Sequence, residues 1–472
     1  MGWLYQIYFK NSEIAKSFGI QDIIPHFYAP QNVETWSLRT FLTWDWFPAM
    51  SLTLIYLFLV VVGNISMGFL TRELFIEKEK LPFPLVQPAA AAITTLSERE
   101  KSRLRLLAIA SIPGLIYGTI VYAVPFAFSA YYNVSIQIIP IPWVDLNWLI
   151  HSFLPGASFG IATDLILMAS GFIIPFDVCI AIFVGSFAIS VVGNTLLVSL
   201  GITKFAEEYS YGMGIGVIMQ RSSLHAWASP YIGVAMAAGL MPLIRRPSVL
   251  ISTFKSLIAK SSDKERSKTL QRAIIFFLIS TVVLSLYVYT LVPDFPLWIL
   301  LLLNVGWGFV YHLIVARAAG VAMAFGVPYV RETFFLMSGY QGTDAWFGPT
   351  YFMSDWTSNF ALCKFTGLKA TSYVKAIALA WPVALVAGFF YTSDFWRIAP
   401  IPSAQYPATQ IYWPLSAIFQ SLFVTRSVLS FRPLWILGGF LAIAGIFLPL
   451  DFIGKGWMAM GIAIGAGTAI PS

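Results

Sequence analysis

The chain has 472 residues, of which 58% are hydrophobic and only 11% are charged. A soluble domain is nearer half apolar and a quarter charged, so this composition indicates a membrane protein. Its two cysteines, Cys179 and Cys363, are too few for a disulfide framework or a cysteine metal cluster. The net charge of +7 is concentrated in two loops, a pattern typical of membrane topology and not of nucleic-acid binding.

The predicted elements begin with an aromatic-rich lead-in, residues 1–47, which we expect at the outer membrane interface. A helix needs about 20 apolar residues to cross the bilayer. The strong candidate spans are 48–70, 104–131, 176–200, 274–293, 296–316, 374–392 and 433–451. Weaker candidates, short or interrupted by Gly, Pro or charge, are 148–172, 229–244, 319–340, 345–363, 410–425 and 455–470. We therefore predict an all-α polytopic membrane protein with roughly 10–12 transmembrane helices, including discontinuous or re-entrant segments.

The orientation follows from the distribution of Lys and Arg. These residues cluster in 71–105 and 244–273, which predicts that both loops are cytoplasmic, whereas 133–147 contains neither and should lie outside. The chain then divides into the outside lead-in 1–47, a first membrane half 48–246, a cytoplasmic linker 247–273 and a second membrane half 274–472.

The stretch EKEKLPFPLVQPAAAAITTLSEREK, residues 77–101, lies between the first two predicted spans. Its first part cannot be a regular helix, because three residues lack an amide donor: Pro82, Pro84 and Pro88. Its second part, Ala89–Leu96, is rich in the best helix former. We predict a re-entrant segment near 82–95, with Phe83 and Pro84 in a protein-lined recess and Gln87 near the turn. An ordinary surface loop is the alternative.

Two other segments, 152–177 and 316–335, combine Gly and Pro with isolated charges. Broken spans in the two halves of a chain point to a transport site, although tight packing of small residues is the simpler explanation of the glycines. Asp164 lies in an otherwise apolar stretch, and a charge at a helix centre costs about 2.5–3.5 kcal/mol. We expect Asp164 to face a cavity and to pair with Arg317 or exchange a proton; snorkelling to the headgroups is the alternative for Arg317. Arg331 and Glu332 suggest a local surface pair.

Four polar residues lie within predicted spans: Asn64, Asn194, Asn304 and His312. Hydrogen bonds between helices explain most such residues, and Asn194, Asn304 and Gln87 are secondary candidates for a cavity lining. The chain has no Walker sequence and no His-Glu-x-x-His motif, so we predict no catalytic residue, no metal site and no cofactor.

Three stretches resemble the oligopeptide transporter (OPT) superfamily, in particular its poorly characterised prokaryotic branch. They are LTRELFIEKEKLPFPLVQPAAAAITTL (70–96), SFGIATDLILMASGFIIPFDVCIAIFVGS (158–186) and LIVARAAGVAMAFGVP (313–328). The resemblance implies two pseudo-repeated halves around a central cavity and proton-driven transport of small peptides or metal chelates. Only one span precedes the Phe-Pro stretch, where members of the family usually have more; either the N-terminal unit is degenerate or a partner chain supplies it. Ala318 and Ala319 stand where an acidic residue often follows the arginine.

We therefore expect an OPT-like ion-coupled secondary transporter, a symporter, in the plasma membrane. Its pathway would be lined by 82–95, 155–175 and 319–335, with Asp164 as coupling carboxylate or substrate-amine partner and Arg317 as its counter-charge or a substrate-carboxylate contact. The expected partners are the lipid bilayer, a small-molecule or peptide substrate, and protons or another coupling ion, with no nucleic acid. A homodimer and a partner membrane subunit both stay open. The alternative is a non-transporting accessory subunit that retains the transporter fold.

Overall fold

The computed structural model describes residues 2–468 except 133, 135, 246, 248–263, 404 and 428–431. It confirms an all-α polytopic architecture, because 74% of the chain is helical. The described residues form only two strands, Trp143–Asp145 (β1) and Gly160–Ala162 (β2), which pair antiparallel. Most of the predicted linker 247–273 lies outside the described residues.

The helices of the first part of the chain are mostly short, apart from four longer ones. In order they are α1 Gly2–Asn11, α2 Glu13–Ser17, α3 Val33–Leu38, α4 Phe47–Thr71, α5 Val86–Glu98, α6 Lys101–Gly118, α7 Val124–Tyr132, α8 Asn147–Ile150, α9 Leu165–Gly171, α10 Phe176–Phe187, α11 Asn194–Leu200, α12 Lys204–Glu208, α13 Ile215–Ser222 and α14 Ala228–Arg245.

The second part contains longer helices. In order they are α15 Lys264–Leu291, α16 Leu297–Leu301, α17 Gly308–Val321, α18 Val330–Met337, α19 Trp356–Phe365, α20 Ala370–Ile398, α21 Pro407–Val424, α22 Pro433–Phe452 and α23 Trp457–Thr468. Short 3₁₀ turns cover Gln21–Ile23, Trp44–Trp46 and Asp344–Phe347.

Five π-helical turns join or extend these helices. They are Arg72–Lys78, Thr119–Ala123, Ala188–Gly193, Ser223–Trp227 and Leu302–Trp307. Such turns are rare and often lie at functional sites. The first extends α4 to Lys78, and the other four join α6, α10, α13 and α16 to the helices that follow, so several long rods each contain one wide turn.

Eight helical rods among the described residues are long and apolar enough to cross a membrane, which identifies a multi-pass membrane protein. They are Trp44–Lys78, Lys101–Phe128, Phe176–Leu200, Ile215–Arg245, Ser267–Leu291, Leu297–Val321, Ala370–Ile398 and Pro433–Phe452, and Trp457–Gly467 is a shorter apolar helix. The predicted weak spans 148–172, 319–340 and 345–363 are not continuous helices. Each is divided into extended backbone and short helices or strands, because Gly, Pro and turn residues interrupt it.

Two pairs of helices approach very closely through glycine. Gly233 on α14 lies against the backbone of Ile436, and Gly439 on α22 lies against the carbonyl oxygen of Pro230. Gly185 on α10 and Gly465 on α23 make the equivalent contacts. In a membrane, small residues permit the backbone approach on which van der Waals packing between helices depends. These two contacts join the end of the chain to its first half.

The lead-in folds into the body of the protein. Leu4 and Ile7 of α1 are buried in one cluster with Trp46 and Trp396, and Phe9 belongs to the largest apolar cluster. Polar groups of the lead-in also bond the helices of the bundle. The indole of Trp3 donates to Thr53 on α4 (2.9 Å), and the Tyr5 hydroxyl donates to Gln420 on α21 (3.1 Å). These contacts close one end of the helical bundle.

Candidate functional site

An extended segment, residues 348–355, crosses the centre of the second part of the chain between the 3₁₀ turn Asp344–Phe347 and α19. Gly348 and Met353 are buried, whereas Phe352 is 67% exposed. Extended backbone at this position cannot satisfy its own N–H and C=O groups, so neighbouring helices must provide partners. We call residues 348–355 the crossing segment.

Two buried asparagines provide those partners. Asn64 of α4 donates to the Phe352 carbonyl (3.0 Å) and accepts from the Ser354 amide (2.7 Å). Asn304, in a π turn, accepts from the Tyr351 amide (2.8 Å) and donates to the Ser285 hydroxyl (3.1 Å). The crossing segment is therefore held by side chains from two spans that are far apart in sequence.

A buried histidine completes this network. One ring nitrogen of His312 lies 3.0 Å from Asn64 Oδ1, and the other lies 2.7 Å from the Gly308 carbonyl oxygen. The Tyr351 hydroxyl is 3.5 Å from the same ring. His312 lies one helical turn after Gly308 on α17, so its ring can contact both the Gly308 carbonyl and Asn64. It therefore helps to orient Asn64 and is part of a polar network.

Asn64→Leu should loosen the crossing segment. The substitution removes the hydrogen bonds to the Phe352 carbonyl and from the Ser354 amide, and each lost hydrogen bond costs about 0.5–1.5 kcal/mol. We expect a lower unfolding temperature and faster hydrogen exchange in 348–355. Asn147→Leu is the control, since Asn147 bonds Met213 and Phe159 elsewhere in the protein. Equal exchange in 348–355 for both variants would contradict this assignment.

A cavity of about 460 Å³ lies on one side of the crossing segment. Its lining combines aromatic rings with hydroxyl and amide groups: Gln6, Tyr28, Leu52, Thr53, Tyr56, Arg331, Trp346, Phe347, Gly348, Pro349, Thr350, Tyr351, Phe352 and Gln420. We call it the aromatic cavity. Arg331 is the one charged residue among these described residues, so the cavity carries a single formal positive charge.

Arg331 is held in place by backbone carbonyls. Its Nη2 donates to the carbonyl oxygens of Trp346 (2.5 Å) and Gly348 (2.9 Å), and its guanidinium lies 5.0 Å from the centre of the Phe335 ring. The predicted local pair with Glu332 is not among the ion pairs of the described residues. The guanidinium instead bonds two carbonyls at the start of the crossing segment and just before it, an arrangement that the sequence did not indicate.

A second cavity, of about 320 Å³, lies at the other end of the α4 rod, beside the end of α17. It is lined by Lys78, Glu79, Leu81, Pro242, Arg317, Val321, Phe447, Asp451, Gly454, Gly456 and Trp457, and we call it the charged cavity. Tyr56 in the aromatic cavity and Lys78 in the charged cavity are 22 positions apart along one rod. At a rise of about 1.5 Å per residue this is a separation of about 30 Å, the thickness of the hydrocarbon core.

Arg317 does not meet Asp164; it forms an ion pair with Glu79 at the charged cavity. Its Nη1 is 2.6 Å and 2.9 Å from the two Glu79 oxygens, and both side chains are largely buried. The guanidinium also lies 5.9 Å from the centre of the Phe75 ring. The acidic partner thus comes from the charged start of the 77–101 stretch, which sequence reasoning had treated only as a topology signal.

The predicted re-entrant segment meets this pair. Phe83 is fully buried, Pro84 is buried, and the Phe83 amide donates to the Gly320 carbonyl (2.9 Å), so 82–95 and 319–335 are in contact. Helix α5 begins at Val86, after Pro82 and Pro84 as expected, but three residues before the predicted start at Ala89. Pro88 therefore lies in the first turn of the helix, where its missing amide donor is tolerated. Pro88 and Gln87 are exposed, and the Gln87 amide donates to the Pro82 carbonyl (2.9 Å). Gln87 thus closes the turn on its outer side and does not line a cavity.

Asp164 lies at the start of the seven-residue helix α9. Its carboxylate accepts from the Ile166 amide (2.8 Å), which is an N-terminal helix cap. The preceding residue is held by Tyr117, whose hydroxyl donates to the Thr163 carbonyl (2.5 Å). Of residues 155–175, only Pro175 lies beside the charged cavity. It lines a neighbouring cavity of about 420 Å³, which shares Leu81 and Val321 with the charged cavity.

The sequence Val-Val-Gly-Asn occurs twice, at 61–64 and at 191–194. Gly63 makes room for the Tyr351 ring beside Asn64, and Gly193 makes room for the Trp227 ring. Asn194 is buried and accepts from the Trp227 indole (2.8 Å), so it lies in a helix contact and not in a cavity. The repeat could have indicated that Asn64 matters as much as Asn194 and Asn304. No protein-family model matches the chain, and comparison with the curated proteins and with the solved structures finds no match.

Proposed function

We propose that the protein is an ion-coupled secondary transporter, OPT-like in its motifs, that moves small peptides, metal chelates or similar organic solutes across the plasma membrane. One observation carries this proposal. The aromatic and charged cavities lie at opposite ends of the α4 rod, and buried Asn64 of α4, which contacts His312, lies between them along the rod. A transporter that alternates access needs two such half-pathways separated by a closed, rearrangeable centre.

The polar centre is suited to rearrangement. The backbone of the crossing segment bonds Asn64 of α4 and Asn304 of the π turn that precedes α17, and His312 of α17 contacts Asn64. Irregular backbone at membrane depth is tolerated where protein buries it or where it lines a wet cavity. A shift of α4 relative to α17 would therefore move the segment and join the two cavities in turn.

The test is uptake by proteoliposomes that contain the purified chain and a pH-sensitive dye. Under an inward proton gradient, di- and tripeptides or metal chelates should cause internal acidification. Asp164→Asn should reduce proton entry if Asp164 is the coupling carboxylate, because asparagine keeps the helix cap and removes the charge. Transport of this variant at the wild-type rate would exclude the coupling role while leaving the transporter proposal standing.

A specific observation also favours the accessory-subunit alternative. None of the residues of α6 is buried, and only three residues of the 29-residue α20 are: Ala370, Ser393 and Trp396. Beside α6, the short helix α9 and the edge of β2 are exposed as well. Open strand edges are not stable against lipid, so protein should cover this face if it lies at membrane depth. A stoichiometric partner in mild detergent, with no uptake by the chain alone, would support this alternative.

A further inference from the structure

We propose that the aromatic cavity binds a small organic carboxylate with an apolar body, and that Arg331 holds its carboxylate group. The proposal rests on the proposed function in taking this ligand to be the transported solute. Binding itself can be measured without transport, so the two proposals can fail separately.

The charge of the cavity is the first argument. Arg331 is the one charged residue among its described lining residues, and no carboxylate of those residues neutralises it. Its Nη2 is occupied by the Trp346 and Gly348 carbonyls, but its Nε has no partner, and no hydrogen bond from Nη1 occurs among the described residues. A partly buried guanidinium without an anionic partner favours an anion, and a carboxylate matches its planar geometry.

The protonation state of Tyr28 is also compatible with a negatively charged ligand. Burial raises the pKa of Tyr28 to about 12, although hydrogen bonding to Gln420 and the charge of Arg331 oppose this rise. Tyr28 therefore stays neutral near pH 7 and adds no negative charge that would repel an anion. The remaining polar groups of the lining are amides and hydroxyls.

The shape and surface of the cavity define the rest of the ligand. Its volume of about 460 Å³ falls in the range of small-molecule sites, about 300–1,000 Å³. Much of the lining consists of aromatic rings, among them Trp346, Phe347 and Phe352. The side-chain amide oxygen of Gln6, another lining residue, has no hydrogen-bond partner, and a ligand N–H or O–H that reached it would satisfy it. An N-acylated or peptide-like aromatic acid combines these features.

The experiment is equilibrium binding of radiolabelled N-acetylphenylalanine to the full chain in detergent, with N-acetylphenylalanine amide as unlabelled competitor. The acid should compete at least about 10-fold better than the amide, because a charge-assisted hydrogen bond is worth about 1.5–3 kcal/mol. Arg331→Gln should weaken acid binding by about 10- to 100-fold and abolish the preference for acid over amide. Arg331→Lys keeps the charge and should retain part of the preference.

Arg426→Gln is the matched control. Arg426 also donates to backbone carbonyls, those of Tyr340 and Gly342, but it does not line the cavity. Its loss should leave acid binding unchanged. Equal competition by acid and amide in the wild-type chain would overturn the proposal even if Arg331→Gln fails to fold. Acid-selective binding without uptake would support this site and overturn the transporter proposal. Uptake at equal rates for acid and amide would support the transporter and overturn this site.

Discussion

Gly439→Ala should lower the unfolding temperature of the protein sharply, whereas Gly438→Ala, one residue earlier on α22, should not. A Cβ on Gly439 would overlap the carbonyl oxygen of Pro230, which belongs to the backbone of α14 and cannot rotate away. A Cβ on Gly438 meets nothing within 4 Å. Overpacking costs about 1–3 kcal/mol and more where backbone must move, while alanine in an open helical position gains up to about 1 kcal/mol over glycine.

Thermal unfolding in detergent, followed by loss of monodisperse protein, measures the difference between the two variants. Gly465→Ala on α23 should behave like Gly439→Ala, since its Cβ would overlap the Ile182 carbonyl. Equal unfolding temperatures for Gly438→Ala and Gly439→Ala would show that α14 and α22 are not in backbone contact. The close approach of α22 to α14, which places the end of the chain against its first half, would then be wrong.

Arg317→Gln and Glu79→Gln should each destabilise the protein strongly, and the double variant should be less destabilised than the sum of the two. The pair is largely buried at the charged cavity, and breaking a buried ion pair by removing one partner costs about 3–5 kcal/mol. The double variant removes both charges of the pair together. A double-mutant cycle of thermal unfolding measures the coupling between the two side chains.

Arg245→Gln supplies the control for this cycle. Arg245 pairs with Asp451, whose carboxylate lines the same cavity, but the Arg245 side chain is 62% exposed and the pair is 3.6 Å long. Exposed pairs contribute about 0–1 kcal/mol, so this variant should unfold close to the wild-type temperature. If Arg317→Gln and Arg245→Gln are equally mild, Arg317 is solvated in the membrane-embedded protein and the proposed pairing does not hold.

The sequence predicted the helical class and the rods well, because apolar runs of about 20 residues have few alternatives. It also predicted the break at Pro82 and Pro84, but it wrongly extended the break to Pro88, because the first turn of a helix tolerates proline. It could not predict which charges pair. Arg317 is 238 positions from Glu79, and a contact at that separation depends on how α4 and α17 pack. Asp164 was expected in a cavity because its neighbours are apolar, but the same neighbours belong to an exposed short helix.

The role of Arg331 in the aromatic cavity was missed for a related reason. Arg331 lies next to Glu332, and adjacent opposite charges look like a surface pair. Arg331 is turned inward by the carbonyls of Trp346 and Gly348. Every residue has a backbone carbonyl, so the sequence does not show which carbonyls will accept from a side chain. Phe83, by contrast, was correctly expected in a recess, because proline fixes the backbone around it and an aromatic ring there needs cover.

The π turn at Leu302–Trp307 determines which side chains of its rod face the crossing segment. On a regular helix, eight residues at 100° each would place Asn304 and His312 about 80° apart around the axis. The wider turn takes up one residue, and seven residues at 100° leave them only about 20° apart. Asn304 can therefore bond the crossing segment while His312 reaches Asn64, which bonds the same segment. A π turn is in effect a one-residue insertion that a helix absorbs. When a relative of this chain is aligned with it, a single-residue gap therefore belongs in one of the five wide turns, where the faces on either side stay in register.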